Sequence, residues 1–250
     1  MQEIEFKFQV PVKKRKALQK AFTLLKAEPI HLAAQYFDTA DQTLAKHCIA
    51  IRRRQENDEW KQTFKAVNSA KVLSRLELEF DIAPPETTTL DLDNYKKDYS
   101  AIYKKLKRAL GLPLPTLELL FETNIQRLRV LQDVGNSTVE IALDIGKIFE
   151  EQNSVDIFEI EFELKQGSIE DLIAFIQPWV QKYQLSLDTH SKSDYGLLAV
   201  RQQSSFSAQY QTPLVLNRSS SEVEALQSIM ANCLQHLLPN ASSIARQQYS

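Results

Sequence analysis

Three glutamates, Glu159, Glu161 and Glu163, stand two residues apart in the segment DIFEIEFELK. A β-strand turns every second side chain to the same face, so this spacing predicts a strand with one acidic face. The residues between the glutamates are Ile and Phe, which favour a strand and need a core to cover them. Carboxylate oxygens are the ligands that a hard divalent cation such as Mg²⁺ prefers. The pattern therefore indicates a strand whose acidic face is suited to bind a metal ion.

The same alternation of charged and apolar residues recurs along the chain. Its charged members are Glu3, Glu5 and Lys7; Arg52 and Arg54; Lys61 and Lys65; Arg75, Glu77 and Glu79; Arg127 and Arg129; and Glu140 and Asp144. A strand that only faces water commonly mixes these residues with neutral polar ones. If the charged faces converge, each ion needs a partner or a charged ligand, because unpaired buried ions are costly. Phosphates carried by Mg²⁺ or Mn²⁺ would satisfy both signs at once.

The order of these motifs resembles that of the CYTH superfamily, the triphosphate tunnel metalloenzymes, and within it the bacterial inorganic triphosphatases. EIEFK fits the ExExK signature, and residues 36 to 54 resemble the segment from a Tyr-x-Asp-Thr turn to an Arg-x-Arg strand. The motifs that follow in the same order are Lys65, the R-x-E-x-E of residues 75 to 79, Arg127, residues 140 to 144, the EIEFE strand and Ser191 with Lys192. The resemblance extends over roughly residues 1 to 200.

The elements that must position these charges are strands with amphipathic helices between them. Helices are predicted after Pro11, from about residue 92 to 110, and from Ile169 to about Gln184, where Ser168 and Asp171 form a capping box. Closing a sheet with polar inner faces into a barrel would remove its open edges. The resemblance implies an α+β fold, namely a closed eight-stranded antiparallel β-barrel, or tunnel, with a charged lumen and helices packed outside.

The chemistry of the side chains and the resemblance together imply three groups of site residues. Candidate metal ligands are Glu3, Glu5, Asp144, Glu159 and Glu161. Candidate phosphate-binding residues are Lys7, Arg52, Arg54, Lys65, Arg75, Arg127, Arg129 and Lys192. Residues expected to take part in catalysis are Glu5, Lys7, Lys65 and Glu77. The expected cofactor is Mg²⁺ or Mn²⁺, with two ions when substrate is bound.

Metal-dependent hydrolysis of inorganic triphosphate to diphosphate and phosphate is the activity that these residues and the resemblance imply. The sequence has no GxxxxGK[ST] or GxGxxG loop and no GxSxG motif, so metal and charge must supply the catalysis. An adenylate cyclase or a thiamine triphosphatase of the same family is an alternative, and a non-catalytic polyphosphate-binding module is another. Phe6, Phe80 and Phe162 should face away from the charges, which leaves Tyr36 and Phe37 as the aromatic residues best placed to bind a base.

Composition limits the class of protein. The chain has 250 residues, 43% of them hydrophobic, and a net charge of −2, which suits one large or two small domains without a basic surface for nucleic acid. No apolar run approaches the about 20 residues that span a bilayer. Cys48 and Cys233 lie far apart, which favours a reduced, cytoplasmic protein. The expected partner is a small-molecule triphosphate or polyphosphate, with no nucleic acid and no membrane, and the oligomeric state is left open.

The C-terminal part differs in composition from the rest. We expect a tunnel domain at 1–200, a linker at 201–220 and a helical segment at 221–250 that resembles the first helix of a CHAD domain; the alternative is a helix docked on the barrel. Every motif precedes residue 193, so the tail is expected to be dispensable for catalysis. Of the four histidines, His47 is the one that the sequence places near charged strands.

Overall fold

The computed structural model describes residues 2–67, 75–90, 92, 95–96, 99–151, 153–216 and 219–247, without the side chains of residues 2, 3, 67 and 75. The strands within these ranges are β1 (Gln2–Glu3), β2 (Glu5–Gln9), β3 (Glu28–Asp38), β4 (Ile49–Glu56), β5 (Glu59–Val67), β6 (Arg75–Ile82), β7 (Thr89–Leu90), β8 (Leu117–Val134), β9 (Ser137–Glu150), β10 (Asn153–Gln166) and β11 (Ser186–Leu187). The helices are α1 (Val12–Leu24), α2 (Thr43–Lys46), α3 (Ser100–Leu110), α4 (Ile169–Tyr183), α5 (Lys192–Val200) and α6 (Glu222–Ala245).

The strands form one antiparallel sheet, as expected for an α+β fold. Their order is β1-β6-β5-β4-β3-β8-β9-β10-β2-β11, and β7 pairs with β8 beside this path. The predicted closed barrel of eight strands is wrong, because hydrogen bonding among the described strands follows an open path of ten. The physical reason lies in short edge strands such as β1 and β11, which add to the path without completing a ring of ladder hydrogen bonds.

The N-terminal segment brings the two halves of this sheet together. Strands β1 and β2 are separated by Ile4 alone, yet β1 pairs with β6 and β2 pairs with β10. In the register, Glu3 stands opposite Arg75 and Glu5 stands opposite Glu163. Since adjacent strands lie about 4.8 Å apart, β6 and β10 must approach each other at this segment. The sheet is therefore strongly curved, and its concave face gathers side chains from both halves.

Helices cover the convex side of the sheet in two places. On one half, Leu18 and Phe22 of α1 and Leu172 of α4 pack with Phe162 of β10 in a buried core. Helix α4 begins as the sequence predicts, since the Ser168 side chain accepts a hydrogen bond from the backbone N–H of Asp171. On the other half, buried side chains of α3 pack behind β4 and β5. These two cores fix the strands whose opposite faces carry the charges.

A third core lies on the concave face and limits how much of that face is charged. Ile30 of β3 stands opposite Arg127 of β8, so the two side chains share a face. Together with Leu32, Ile30 packs against Tyr195 and Leu198 of α5. Helix α5 therefore covers an apolar part of the concave face, beside the charged part. The expectation of a charged lumen did not predict this apolar region.

The C-terminal region forms a helix after a stretch without regular structure. Residues 203–216 contain neither helix nor strand, and α6 begins at a capping box formed by Ser221 and Glu224. Apolar side chains from the first turns of α6, such as Val223 and Leu226, are exposed. Among the described helices, none combines the length and the apolarity that a bilayer crossing demands.

Gly196 is a point where α5 approaches the sheet too closely for a side chain. A Cβ atom there would lie 2.2 Å from the buried ring of Phe121, which stacks on Tyr36. We expect Gly196→Ala to lower the free energy of unfolding by about 1–3 kcal/mol despite the better helix propensity of Ala. Urea unfolding measures this. Phe121→Leu in the same chain should recover part of the loss, and strictly additive effects would contradict the contact.

Candidate metal and phosphate site

Lys192 lies at the centre of the charged region, at the first residue of α5. Its Nζ atom is 2.6 Å from Asp144 Oδ2, 2.5 Å from Glu159 Oε1 and 2.9 Å from Glu161 Oε1. Ser191 fixes the start of the helix through a capping box with Asp194. One ammonium group thus neutralises part of a cluster of three carboxylates.

Strand register brings these three carboxylates together. Glu159 of β10 stands opposite Asp144 of β9, and Glu161 follows on the same face. One oxygen of each lies within 4.8 Å of the others, and all three residues are buried. We call Asp144, Glu159 and Glu161 the acidic cluster. A group of oxygen ligands at this separation is suited to a hard divalent cation.

Arg127 of β8 is the second cation on the acidic cluster. Its Nε and Nη2 atoms lie 2.7 Å from Oδ1 and Oδ2 of Asp144, a bidentate arrangement, and Nη2 also contacts Glu161. Burial acts to raise the pKa of the carboxyl groups of Asp144 and Glu161. The nearby charges of Arg127 and Lys192 outweigh it and hold the pKa of Asp144 and of Glu161 below their usual values. Both acids are therefore ionised at neutral pH.

Lys7 of β2 is the third cation, and it leads to residues that the sequence did not reveal. Its Nζ atom is 3.4 Å from Glu159 and 3.9 Å from Asp188, and it donates a hydrogen bond to the carbonyl of His190. The hydroxyl of Tyr195 donates to Asp188 at 2.9 Å. The nearest signal for Asp188 was its place four residues before Lys192, in a segment otherwise poor in charge.

The histidine that the sequence singled out lies elsewhere. His47 is exposed, and its Nδ1 atom is 2.9 Å from the carbonyl of Thr43 in the short helix α2. His190 is the histidine beside the site, through its backbone carbonyl rather than its ring. Every residue has a backbone carbonyl, so the residue type could not have indicated this contact.

Glu5 stands next to the acidic cluster without sharing its ion pairs. Burial and the neighbouring charge of Glu161 raise the pKa of Glu5 to about 7, although Lys65, Lys192 and Arg127 act to lower it. Within the described part of the chain, no ion pair to Glu5 is formed. This carboxyl is close to half-protonated at neutral pH, which distinguishes it from Asp144 and Glu161.

Strands β4, β5 and β6 supply a second charged wall. Arg54 Nη2 lies 3.1 Å from Glu79, and Lys65 Nζ lies 2.8 Å from Glu77. Arg52 donates to the hydroxyl of Tyr36 at 3.3 Å. We call Arg52, Arg54 and Lys65 the basic wall.

Lys65 of the basic wall and Lys192 beside the acidic cluster act on the same two groups, Tyr36 and Glu5. Burial tends to raise the pKa of Tyr36, but Arg52 lowers it below its usual value with the help of Lys192 and Lys65. Lys65 likewise acts on Glu5 in β2. Side chains from opposite halves of the curved sheet are therefore within electrostatic reach of one another, as a ligand that spans both would require.

The structure does not place three of the expected site residues among the buried charges. Arg129 lies at the edge of the site, and the side chains of the other two lie outside the described part of the chain. Arg129 pairs with Glu28 at 3.3 Å and with Glu56 at 3.7 Å, and its side chain is 35% exposed. The backbones of Glu3 and Arg75 face each other across β1 and β6, but their side chains lie outside the described part. The structure brings the remaining expected residues to the acidic cluster, to Glu5 beside it or to the basic wall.

Comparison with known proteins agrees with this arrangement. The model of the CYTH domain matches residues 1–194. The chain belongs to the CYTH family. An inorganic triphosphatase of Haemophilus influenzae is 32% identical over 206 residues, which cover 79% of this chain and 55% of that protein. The chain thus matches about half the length of this curated relative.

Solved structures show the same CYTH fold. A Bacillus halodurans protein, provisionally described as an adenylate cyclase, gives a TM-score of 0.54 at 21% identity, covering 77% of this chain and 96% of the other. A Hippeastrum protein, provisionally described as an adenylyl cyclase and reported to have a dominant triphosphatase activity, gives 0.53 at 18% identity, covering 80% of this chain and 96% of the other. At these identities the likeness concerns the fold alone.

Glu5→Gln should stabilise the metal-free protein in a pH-dependent way. The carboxyl has a pKa near 4.5 when unfolded and about 7 when folded, so folding takes up a proton between these two pH values. Keeping the carboxylate ionised in the folded state costs stability, and this penalty is absent below pH 4.5, grows as the pH rises and is complete above pH 7. In EDTA, the melting temperature of Glu5→Gln minus that of wild type should be near zero at pH 4.5 and rise to a plateau above pH 7.

Glu163→Gln is the matched control for this effect. Glu163 stands opposite Glu5 in the register but pairs with Lys165 at 2.8 Å near the surface. Losing such a pair changes stability by about 0–1 kcal/mol and gives no gain at pH 8. A difference for Glu5→Gln that is flat with pH, or equal to that of Glu163→Gln, would contradict the raised pKa.

Proposed function

We propose that this CYTH domain hydrolyses inorganic triphosphate to diphosphate and phosphate with the help of a divalent metal ion. The observation that carries the proposal is the acidic cluster, buried and surrounded by Lys7, Arg127 and Lys192, with the basic wall within electrostatic reach. The similarity to an inorganic triphosphatase supports the same reaction.

The residues present fit a metal ion of the Mg²⁺ or Mn²⁺ class. The acidic cluster offers only oxygen ligands, and the two carboxylate oxygens of Glu159 are buried without a formed hydrogen bond, although ion pairs surround them. Asp144, Glu159 and Glu161 would hold the ion, with Glu5 and Glu3 as further ligands. Such an ion supplies charge stabilisation at the phosphate oxygens and lowers the pKa of bound water. We propose two ions when substrate is present.

Charge balance indicates how substrate enters. The acidic cluster carries three negative charges against the three positive charges of Lys7, Arg127 and Lys192. A divalent cation alone, or triphosphate alone, would leave a large uncompensated charge in a buried site. Both together bring opposite charges that largely cancel. We therefore propose that the site binds triphosphate as its metal complex.

The basic residues bind the phosphate oxygens in this proposal. Arg52, Arg54 and Arg127 present planar guanidinium groups that hold two oxygens at once, whereas Lys7 and Lys192 act as compact charges. Arg75 and Arg129 belong to the same proposed set. Four of the cations, namely Lys7, Arg54, Arg127 and Lys192, would exchange part of their present ion pairing for phosphate oxygens.

Two carboxylates are assigned to the attacking water. Glu5 lies beside the acidic cluster and would orient the attacking water and accept its proton. Glu77, held by Lys65 at 2.8 Å, would orient the water from beside the basic wall. In-line attack on a terminal phosphorus then needs mainly positioning and charge, as in other phosphoryl transfers.

The alternatives require recognition beyond the phosphates. For an adenylate cyclase or a thiamine triphosphatase, the best-placed aromatic rings were Tyr36 and Phe37. The ring of Tyr36 stacks on Phe121 at 4.5 Å and its hydroxyl accepts from Arg52, while Phe37 belongs to a convex core. Neither is available to stack on a base, which favours free triphosphate. A non-catalytic binding module would bind triphosphate without releasing phosphate, so measurements of turnover separate it from the enzyme.

The wider setting of the domain follows from the sequence. We propose the division into a tunnel domain at 1–200, a linker at 201–220 and a helical segment at 221–250, which resembles the start of a CHAD domain. Cys48 and Cys233 are both free and exposed, in keeping with the proposed cytoplasmic location.

Glu161→Gln tests the reaction. The change keeps the shape but removes the charge that Lys192 and Arg127 share, so we expect turnover of triphosphate at saturating Mg²⁺ to fall by about 10²- to 10³-fold, as when a group that stabilises transition-state charge is lost. Glu163→Gln, two residues along the same face, is the control and should stay within about threefold of wild type. Equal activity of the two variants would exclude Glu161 from the site.

A substrate panel tests specificity. At fixed Mg²⁺ we expect kcat/KM to be highest for triphosphate and at least about tenfold lower for ATP and thiamine triphosphate, because the described aromatic rings supply no stacking energy for the added group. The products of ATP should include no cyclic AMP. Formation of cyclic AMP, or ATP turnover as efficient as that of triphosphate, would replace this function by a cyclase or nucleotidase.

A further inference from the structure

The last turns of α6 contact the body of the domain through polar groups. Ser242 is fully buried and Ser243 is 8% exposed, whereas Val223 and Leu226 near the start of the helix are exposed. A helix that docks only to cover apolar surface would bury its apolar stripe instead. Burying hydroxyl groups is costly unless they form hydrogen bonds. The partners of these two serines therefore indicate what this end of the helix does.

Ser242 is hydrogen-bonded to the segment that precedes α5. Its Oγ atom accepts from the backbone N–H of Thr189 at 3.0 Å, and its hydroxyl hydrogen is directed to the carbonyls of Leu238 at 2.9 Å and Leu187 at 3.2 Å. Its own carbonyl accepts from Nε2 of Gln9 in β2 at 3.1 Å. One residue of α6 thus joins the backbone before α5 to the strand that carries Lys7.

Ser243 and Pro239 hold the next residue, His190. Nε2 of His190 lies 3.2 Å from the carbonyl of Pro239 and 3.3 Å from Oγ of Ser243. Phe206 stacks on the other side of the ring at 3.7 Å between centroids. The imidazole is held between α6 and Phe206, which lies in the segment before α6. The His190 backbone therefore has little freedom to move.

The segment from residue 188 to 192 connects these contacts to the site. The backbone N–H of Asp188 donates to the carbonyl of Lys7 at 2.8 Å, and the ammonium of Lys7 donates to the carbonyl of His190. Tyr195 fixes the Asp188 side chain. Lys192, two residues after His190, reaches the acidic cluster. A shift of Thr189 or His190 would therefore move both lysines relative to the carboxylates.

We propose that Ser242 and Ser243 are positioning residues for the phosphate-binding lysines, and that α6 acts on Lys7 and Lys192 through residues 188–192. This inference rests on the proposed function, because it assigns the two lysines to the substrate. It departs from the expectation that residues beyond about 200 are dispensable for catalysis. Small displacements of substrate-binding groups change rates strongly, which makes a structural clamp of this kind effective.

Ser242→Ala in the full chain tests the proposal, with Ser228→Ala as its matched control. Ser228 lies on the same helix and its Oγ also donates to a carbonyl four residues earlier, at 2.8 Å, but it is exposed. We expect Ser242→Ala to lower kcat/KM for tripolyphosphate about tenfold, mainly through a higher KM, because misplaced lysines weaken phosphate binding. Ser228→Ala should match wild type.

The split between KM and kcat separates positioning from a loss of folded protein. Fewer folded molecules would lower apparent kcat and leave KM unchanged, and that result would overturn the proposal. So would Ser242→Ala with the kinetics of Ser228→Ala. Ser243→Ala removes a different contact, to His190, and should raise KM in the same direction. If Ser242→Ala lowers the melting temperature below the assay range, the KM of Ser243→Ala decides whether the proposal holds.

Amide hydrogen exchange supplies a readout that needs no turnover. The Thr189 amide should exchange faster in Ser242→Ala than in Ser228→Ala, because its acceptor is gone. Unchanged exchange at residues 187–191 would overturn the clamp itself. If wild type neither binds nor hydrolyses tripolyphosphate, the proposed function fails while faster exchange still supports the clamp. If wild type is active and the serine variants equal it, the inference alone fails.

Discussion

Sharing of one ammonium group among three buried carboxylates is the interaction on which the site depends. Asp144, Glu159 and Glu161 would repel one another strongly in a region of low effective dielectric. Lys192 reaches all three, and Arg127 and Lys7 neutralise the rest of their charge. Removing one member of such a buried set is more damaging than its pairwise contacts indicate, since it leaves an uncompensated ion. The register of β8, β9 and β10 must therefore keep these charged groups next to one another as well as bury the apolar core behind them.

The alternation of charge allowed the local part of this arrangement to be predicted from the sequence. Glu159 and Glu161 lie on one face because strands repeat every two residues, and Phe162 lies on the other in a core with α1 and α4. Ser168 caps α4 for an equally local reason. The family resemblance added the expectation that the charged faces line one lumen, a relation that alternation within each strand does not contain.

What the sequence could not indicate depends on distant backbone contacts. Closure of the sheet depends on which strands pair at its ends. The alternation of Glu3, Glu5 and Lys7 predicted one strand, not its division into β1 and β2 with different partners, and β11 is too short to leave a pattern. Asp188 contacts Lys7 through a side chain that directly follows the two-residue strand β11. His190 contacts Lys7 through its backbone carbonyl. The concave apolar core around Ile30 requires α5 to be in place, and no periodicity within β3 records that partner. The alternation of side chains thus predicts which residues share a face of a strand. The site also depends on which strands and helices the fold places next to one another.

Pairing of β2 with β10 has a consequence for how the domain is made. Strand β2 is synthesised before its partner β10, in which Glu163 stands opposite Glu5, and about 150 residues separate the two strands. At about 5–20 residues per second, synthesis of that interval takes roughly 8–30 s. During this time β2 presents unpaired backbone and the apolar side chains Phe6 and Phe8 to solvent, an edge to which other chains can add. Glu5 and Lys7 alternate with those side chains in β2, and charged side chains of this kind disfavour the addition of other chains at an exposed strand edge.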